Sequence, residues 1–362
     1  MKIAILSHMH HPIAEPFEGG TEAHTAMLAN ALVDRGHDVT LFAKEGSVTR
    51  ASVYPLVPRD FEFVRTATPL VRVQQAGFLA EAVHHSIGVI HDMSFDVVVN
   101  NSLSSLPYTY MRDLPMMTVL HTPPTLSDVT AIVSRPDWVP SPHHEYVTVS
   151  ETNADAWRAL LPRVLVVRNG IQLASWAAVE PPTPRLAVWA ARITPEKGLH
   201  LAIDAARMAG LDFEFAGPIS HSDYFETEIE PRLGRHVRYR GHLSHSELRA
   251  FFASGSVFVA SPLWAEPFGL SVVEALASGT PVAAFPNGAL PELIEKGAGA
   301  VARATTAEAL SHAIREAALC SRSQARRSSL RFGFDAMIDG YLEVLNRVAA
   351  SRQSVAVVES LR

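Results

Sequence analysis

Short, nearly continuous apolar runs alternate along the chain with longer segments in which apolar residues recur every three or four positions. Runs of the first kind read as strands buried on both faces, and segments of the second kind as helices that cover them. Residues 2–7 (Lys-Ile-Ala-Ile-Leu-Ser) open the series. A helix patterned on Ala23, Met27, Leu28, Ala31 and Leu32 follows and stops near Gly36. Further strands are expected at 38–43, 95–100, 116–120, 146–150 and 164–168, with helices over 70–91 and 151–161. Pro181, Pro182 and Pro184 form a stiff connector, after which the alternation starts again. The second half offers strands at 186–190, 211–216, 236–240, 257–260 and 280–285. Its helices begin at about Pro195, behind a Ser244-x-x-Glu247 capping box, ahead of Gly279, at Gly288–Glu292 and behind Thr305-x-x-Glu308. A last helix covers roughly 332–349, and the tail after Ser351 is expected to fray. Residues 44–69 and the proline-studded 122–144 read as loops.

This alternation predicts an α/β protein with parallel sheets. A length of 362 residues suggests two domains at ~150 residues each, and the boundary is expected between Gly170 and Arg185, giving 1–175 and 176–333. The composition, 48% hydrophobic and 19% charged, is that of a folded globular chain rather than a disordered one. A formal charge of -6 carries no basic footprint, so no nucleic-acid partner is expected. Cys320 stands alone, which excludes an internal disulfide and a thiolate metal cluster and fits a reducing cytoplasm. No window approaches the ~18 apolar residues of a membrane span, so no transmembrane segment is expected.

The chemistry centres on the stretch from Ser261 to Thr280, which leaves a strand and enters a helix. The first backbone N–H groups of that helix, around Phe268, Gly269 and Leu270, lack intrahelical partners and lie at the positive end of its dipole. Such an end attracts an anion, most often a phosphate. Glu266 precedes the helix and Glu274 lies near its middle, and carboxylates accept hydrogen bonds from hydroxyls. Together these describe a nucleotide sugar, with diphosphate at the tip, sugar at Glu266 and ribose at Glu274. Arg192 and Lys197 bracket another helix entry after a strand, where a guanidinium and an ammonium suit a diphosphate. His121 follows the strand at 116–120, at the end that faces a ligand crevice in parallel sheets.

Other polar groups carry less. Gly19-Gly20 make a turn into a helix without the Gly-x-Gly-x-x-Gly fingerprint of dinucleotide binders. His8, His10 and His11 invite a metal, but Glu15 and Glu18 are the only acidic neighbours that this reading finds, and a polar lining for an acceptor is expected instead. His84-His85 and His143-His144 read as surface pairs. Asp212 and Glu214 lack the Asp-x-Asp form that holds a divalent ion, so no metal is expected.

The segment Glu266-Pro-Phe-Gly-Leu-Ser-Val-Val-Glu274 resembles the Glu-x7-Glu signature of retaining glycosyltransferases of the GT-B fold, and Arg192-x4-Lys197-Gly198 resembles family four in particular. The resemblance implies two Rossmann-like domains facing each other across a cleft, with a final helix, about 334–350, crossing back to the first. It implies transfer of a sugar from a nucleoside diphosphate, by default uridine diphosphate, to an acceptor hydroxyl with retained configuration. His121 would then touch the donor sugar. Gly19 and Gly20 would let the backbone approach donor phosphates or acceptor. Gly217 would belong to the donor site, and the turn ending at Leu243 would give backbone contacts to the donor's base. His121, Arg192, Lys197 and Glu266 are the expected catalytic set, with no metal or cofactor. A small soluble acceptor is expected, and the oligomeric state stays open. The alternatives are a non-catalytic nucleotide-sugar sensor and an epimerase of the same fold. The epimerase would need acidic catalysts in the N-terminal half, and no convincing set is found there.

Overall fold

The computed structural model describes residues 1–15, 17–63, 68–125, 127–176 and 181–360. Residues 177–180, just before the expected proline connector, lie outside these, as do Pro16 and residues 64–67 and 126 of the expected loops. The chain divides into two compact units. One comprises Met1–Val149, Asn153–Val167 and the chain from Ile338 onward, and the other Ser150–Thr152 and Arg168–Met337.

The N-terminal unit is built on seven parallel strands: β1 (Lys2–Ser7), β2 (Asp38–Lys44), β3 (Ser52–Val57), β4 (Val97–Asn101), β5 (Met116–Leu120), β6 (His144–Thr148) and β7 (Leu165–Val166). They lie in the order β3-β2-β1-β4-β5-β6-β7. The C-terminal unit has six: β8 (Leu186–Ala190), β9 (Asp212–Ala216), β10 (Val237–Tyr239), β11 (Val257–Ala260), β12 (Val282–Ala284) and β13 (Gly299–Val301), ordered β10-β9-β8-β11-β12-β13. Every residue of β4, β5, β8, β11 and β12 is buried, which is why these strands read as nearly continuous apolar runs, with Asn100, Asn101 and Thr118 the polar exceptions. In both sheets the strand order reverses beside the first strand, between β1 and β4 and between β8 and β11. Loops leaving the carboxyl ends of such a strand pair diverge, and a ligand crevice opens between them.

Several elements differ from the sequence reading. The 44–69 stretch contains β3, which pairs only with β2 at the sheet edge and tolerates Pro55 because an edge strand need not donate on its outer side. A helix at Ser127–Val133 interrupts the proline-rich 122–144 segment. β6 starts at His144, which is therefore buried and donates from Nε2 to the Met111 carbonyl at 2.8 Å, not a surface residue. The helix expected from Pro195 is split. Pro195–Lys197 form one 3-10 turn, Gly198 takes φ 63°, and the helix proper is Leu199–Ala209. Thr306, not Thr305, caps the helix at Ala307–Ala317. β13, with a glycine at its start, had no apolar run to announce it. The last helix continues to Ser360, past the point where fraying is expected.

Gly217 shows how closely the strand ends pack. Its φ is 137°, and a Cβ there would stand 1.9 Å from the Ala191 carbonyl oxygen. Backbone strain at such a position costs about 1–3 kcal/mol before the clash is counted. Gly217→Ala is therefore expected to lower Tm by roughly 3–10 °C in a thermal melt. An unchanged Tm would show that the contact is not as tight as described.

Candidate functional site

In the C-terminal unit, the loops leaving β8 and β11 are sewn together. Ser261, directly after β11, accepts a hydrogen bond from Trp189 Nε1 at 3.1 Å and donates to the Lys197 carbonyl at 3.0 Å. The Leu263 N–H donates to the Glu196 carbonyl at 2.7 Å. A Cβ on Gly198 would lie 2.2 Å from the Ser261 carbonyl oxygen, so only glycine lets the two loops approach this closely. On the other side, Gly288 and Ala289 clamp the Glu266 backbone. A Cβ on Gly288 would lie 2.2 Å from the Glu266 carbonyl, which accepts from the Ala289 N–H at 2.8 Å.

These contacts bring Lys197 and Glu266 together. Lys197 Nζ lies 2.5 Å from Glu266 Oε2, with both side chains about one-sixth exposed, at 17% and 16%. The same oxygen accepts from Trp264 Nε1 at 3.0 Å, and the Lys197 ammonium stands 5.1 Å from the Trp264 ring centroid. Glu266 Oε1 keeps no protein partner among the described residues. Sequence reading assigned the two residues to separate parts of a ligand and missed Trp264, although an indole two residues before a key carboxylate was a visible signal. Arg192, half-buried in the same loop as Lys197, has no hydrogen-bond or ion-pair partner among the described residues. Its charge is uncommitted.

The helix that follows is Leu270–Ala277, with Gly269 as its N-cap at φ 106°. Gly269 accepts from the Val272 N–H at 3.0 Å, while the N–H groups of Gly269, Leu270 and Ser271 have no intrahelical partner. Phe268 contributes only its backbone here. Its ring is 3% exposed and packs edge-on against Phe332, with centroids 5.7 Å apart. Glu274, on the second turn, is half-buried without a side-chain partner among the described residues, and burial pushes its carboxyl pKa up to about 7. Gly217 accepts from the Tyr239 hydroxyl at 2.7 Å and donates to the Gly241 carbonyl at 2.9 Å, which places the Gly241–Leu243 turn beside the end of β9.

The N-terminal unit gathers a second set at the carboxyl ends of β1, β4 and β5. Gly19 is the N-cap of the Gly20–Asp34 helix, extended at φ -164°. One turn in, Glu22 folds back onto His8, Oε1 to Nε2 3.2 Å, with both residues 7% exposed. Glu22 is the acidic neighbour that sequence reading overlooked. Burial alone would raise the Glu22 carboxyl, but the hydrogen bond and charge of His8 outweigh it and hold the carboxyl below the usual range. His10 is pushed down to about 4 by burial and by its histidine neighbours. Among the described residues no group of three or more His, Cys, Asp or Glu could hold a metal ion. His121 leaves β5 and is 9% exposed, and burial, then His24 and His8, hold its imidazole well below the ordinary range.

Residues 172–329 match the family described as glycosyl transferases group 1, and residues 18–175 match glycosyltransferase family 4. The chain belongs to the group 1 glycosyltransferases. Among curated relatives of this glycosyltransferase, a glycogen synthase of Mycobacterium tuberculosis is 28% identical over 92% of this chain and 91% of its own. A D-inositol 3-phosphate glycosyltransferase of Mycolicibacterium smegmatis is 25% identical over 96% and 91%. Solved structures share the GT-B fold. A sucrose-phosphate synthase of Thermosynechococcus elongatus superposes with TM-score 0.79 at 18% identity, over 97% of this chain and 100% of the other. HepE of Anabaena, in complex with UDP and glucose, does so with TM-score 0.73 at 18% identity, over 96% and 100%.

The raised Glu274 carboxyl has a pH consequence for this glycosyltransferase. A carboxylate accepts hydroxyl hydrogen bonds better when ionised. With a pKa of about 7, Glu274 is largely protonated at pH 6 and ionised at pH 8. On the expectation that Glu274 accepts a donor hydroxyl, calorimetric affinity for a nucleoside diphosphate sugar should rise with pH across this range, and Glu274→Gln should flatten the rise. An equal pH dependence in both proteins would separate Glu274 from the ligand.

Proposed function

We propose that this glycosyltransferase moves a sugar from a nucleoside diphosphate, with uridine diphosphate as the default carrier, to a hydroxyl of a small acceptor, retaining the anomeric configuration. The observation that carries the reading is the Lys197–Glu266–Trp264 cluster, held by two loops at the strand reversal of the C-terminal sheet and next to the start of the Leu270–Ala277 helix. Without donor, Lys197 neutralises Glu266. With donor, the ammonium turns to the diphosphate, and Glu266 is released to accept hydrogen bonds from sugar hydroxyls.

In this reading Arg192, Lys197 and the N–H groups of Gly269 and Leu270 stabilise the departing diphosphate, where negative charge grows in the transition state. These charges do the work a metal would otherwise do, so the reaction is metal-independent. Glu274 takes the ribose, and the end of β9 with Leu243 takes the base. For His121 the reading keeps the role the resemblance implies, contact with the donor sugar, and for Gly19 and Gly20 room for phosphate or acceptor. Names of relatives support a sugar donor carried on a nucleotide, since one neighbour is described with UDP and glucose. Among the described residues no helix is long and apolar enough to cross a membrane, and the single cysteine suits a cytoplasmic setting.

Two measurements test this. Incubation with UDP-, ADP- and GDP-sugars, with EDTA and with or without a panel of polyol and sugar acceptors, is expected to release diphosphate from one donor and to yield a product of retained anomeric configuration by proton NMR. Tight binding with no release from any donor would make the protein a sensor, and an inverted product would remove the retaining mechanism. Lys197→Ala is expected to cut kcat by a factor of about 10²–10³, the scale of a lost charge stabiliser. An unchanged kcat would exclude Lys197 from the mechanism.

A further inference from the structure

We propose that His24 and Tyr341 are positioning residues that set the ring of His121. The proposal rests on the transferase reading, in which His121 meets the donor sugar, and its geometry lies wholly within the N-terminal unit.

A histidine ring turns about a soft sp³–sp² bond and is normally fixed by a hydrogen bond at one of its nitrogens. His121 has no such bond: its Nε2 is buried and unpartnered among the described residues. Its ring packs against another imidazole. The His24 and His121 rings meet edge to face, centroids 4.7 Å apart at 70°. His24 in turn has its Nε2 3.0 Å from the Tyr341 hydroxyl, with ring centroids 5.4 Å apart at 69°. His24 is 1% exposed and Tyr341 0%. Tyr341 comes from the final helix, which joins this unit at Ile338, so residues from three distant parts of the sequence form one chain of contacts.

Packing alone does not require this polar chain. A Phe at 341 and a Leu at 24 would fill the same core without desolvating a phenol and an imidazole. The hydrogen bond holds the tilt of His24 in either tautomer, since a phenol hydroxyl both donates and accepts, and the held ring limits how His121 can turn. Burial lowers His24 to about 4 and, with His24 and His8 beside it, holds His121 well below its ordinary range, so both rings are neutral near pH 7. A neutral, oriented His121 can both donate to and accept from a hydroxyl.

The test uses full-length protein with ¹⁵N-labelled histidine, the His121 ring signals being assigned by their loss in His121→Gln. Tyr341→Phe deletes one oxygen, and His24→Gln keeps a partner for Tyr341 while removing the ring beside His121. Both variants are expected to move the His121 ring nitrogen resonances. Both are expected to cut kcat by about 10- to 100-fold, the cost of misplacing a reacting group by about 1 Å, with donor KM within about twofold. His121 resonances unmoved in both variants, or kcat per folded molecule equal to wild type, would overturn the proposal. A wild type that releases no diphosphate from any donor, while Tyr341→Phe still moves the His121 signals, would instead sink the transferase reading and leave the ring coupling standing.

Discussion

The arrangement depends on what a parallel sheet does where its strand order reverses. Neighbouring loops leave the same edge of the sheet in diverging directions, and whatever chemistry they carry is delivered to the crevice between them. In the C-terminal unit that pair is β8 and β11, and the residues delivered are Arg192, Lys197, Trp264 and Glu266. Divergence alone would leave them apart. Gly198 against Ser261 draws the two loops back together, and Gly288, after β12, holds the Glu266 backbone from the other side, each at a distance no side chain would permit.

In the proposed mechanism the Lys197–Glu266 pair is a resting state. Desolvating an ammonium and a carboxylate costs several kcal/mol per ion, and their attraction offsets this only while both are present. Since the pair is one-sixth exposed, the offset is partial. A diphosphate brings more negative charge than one carboxylate, so it can displace Glu266 from Lys197 without leaving the ammonium unpaired. The released carboxylate is then at hand for hydroxyls. Arg192, which begins without a partner, loses nothing when it engages.

Much of this was legible in the residues. Strands buried on both faces announce themselves as apolar runs, and the stretch from Ser261 to Thr280 read correctly as a strand exit leading into a helix. What could not be read came from distance. Pro55 at a sheet edge and the glycine of β13 hide strands that exist because a neighbour supplies the ladder. The break at Gly198 follows from Ser261, sixty-three positions later. Lys197 and Glu266 were both singled out, but their mutual bond was not, because it needs the loops to be joined. Glu22 escaped since a helix beginning at Gly20 turns it back toward His8, and the nearer Glu15 and Glu18 drew the eye. His24 left a trace that passed unnoticed, an imidazole on the same stripe as Leu28 and Ala31.

The central claim is that the C-terminal unit holds a diphosphate through charge and helix-tip amides rather than holding a base or sugar alone. Calorimetric titration with a nucleoside, its monophosphate and its diphosphate, in EDTA, tests it most directly. Two charge-assisted contacts to the second phosphoryl group, at about 1.5–3 kcal/mol each, should make the diphosphate bind at least ~100-fold tighter than the monophosphate. Equal Kd values for monophosphate and diphosphate would contradict it.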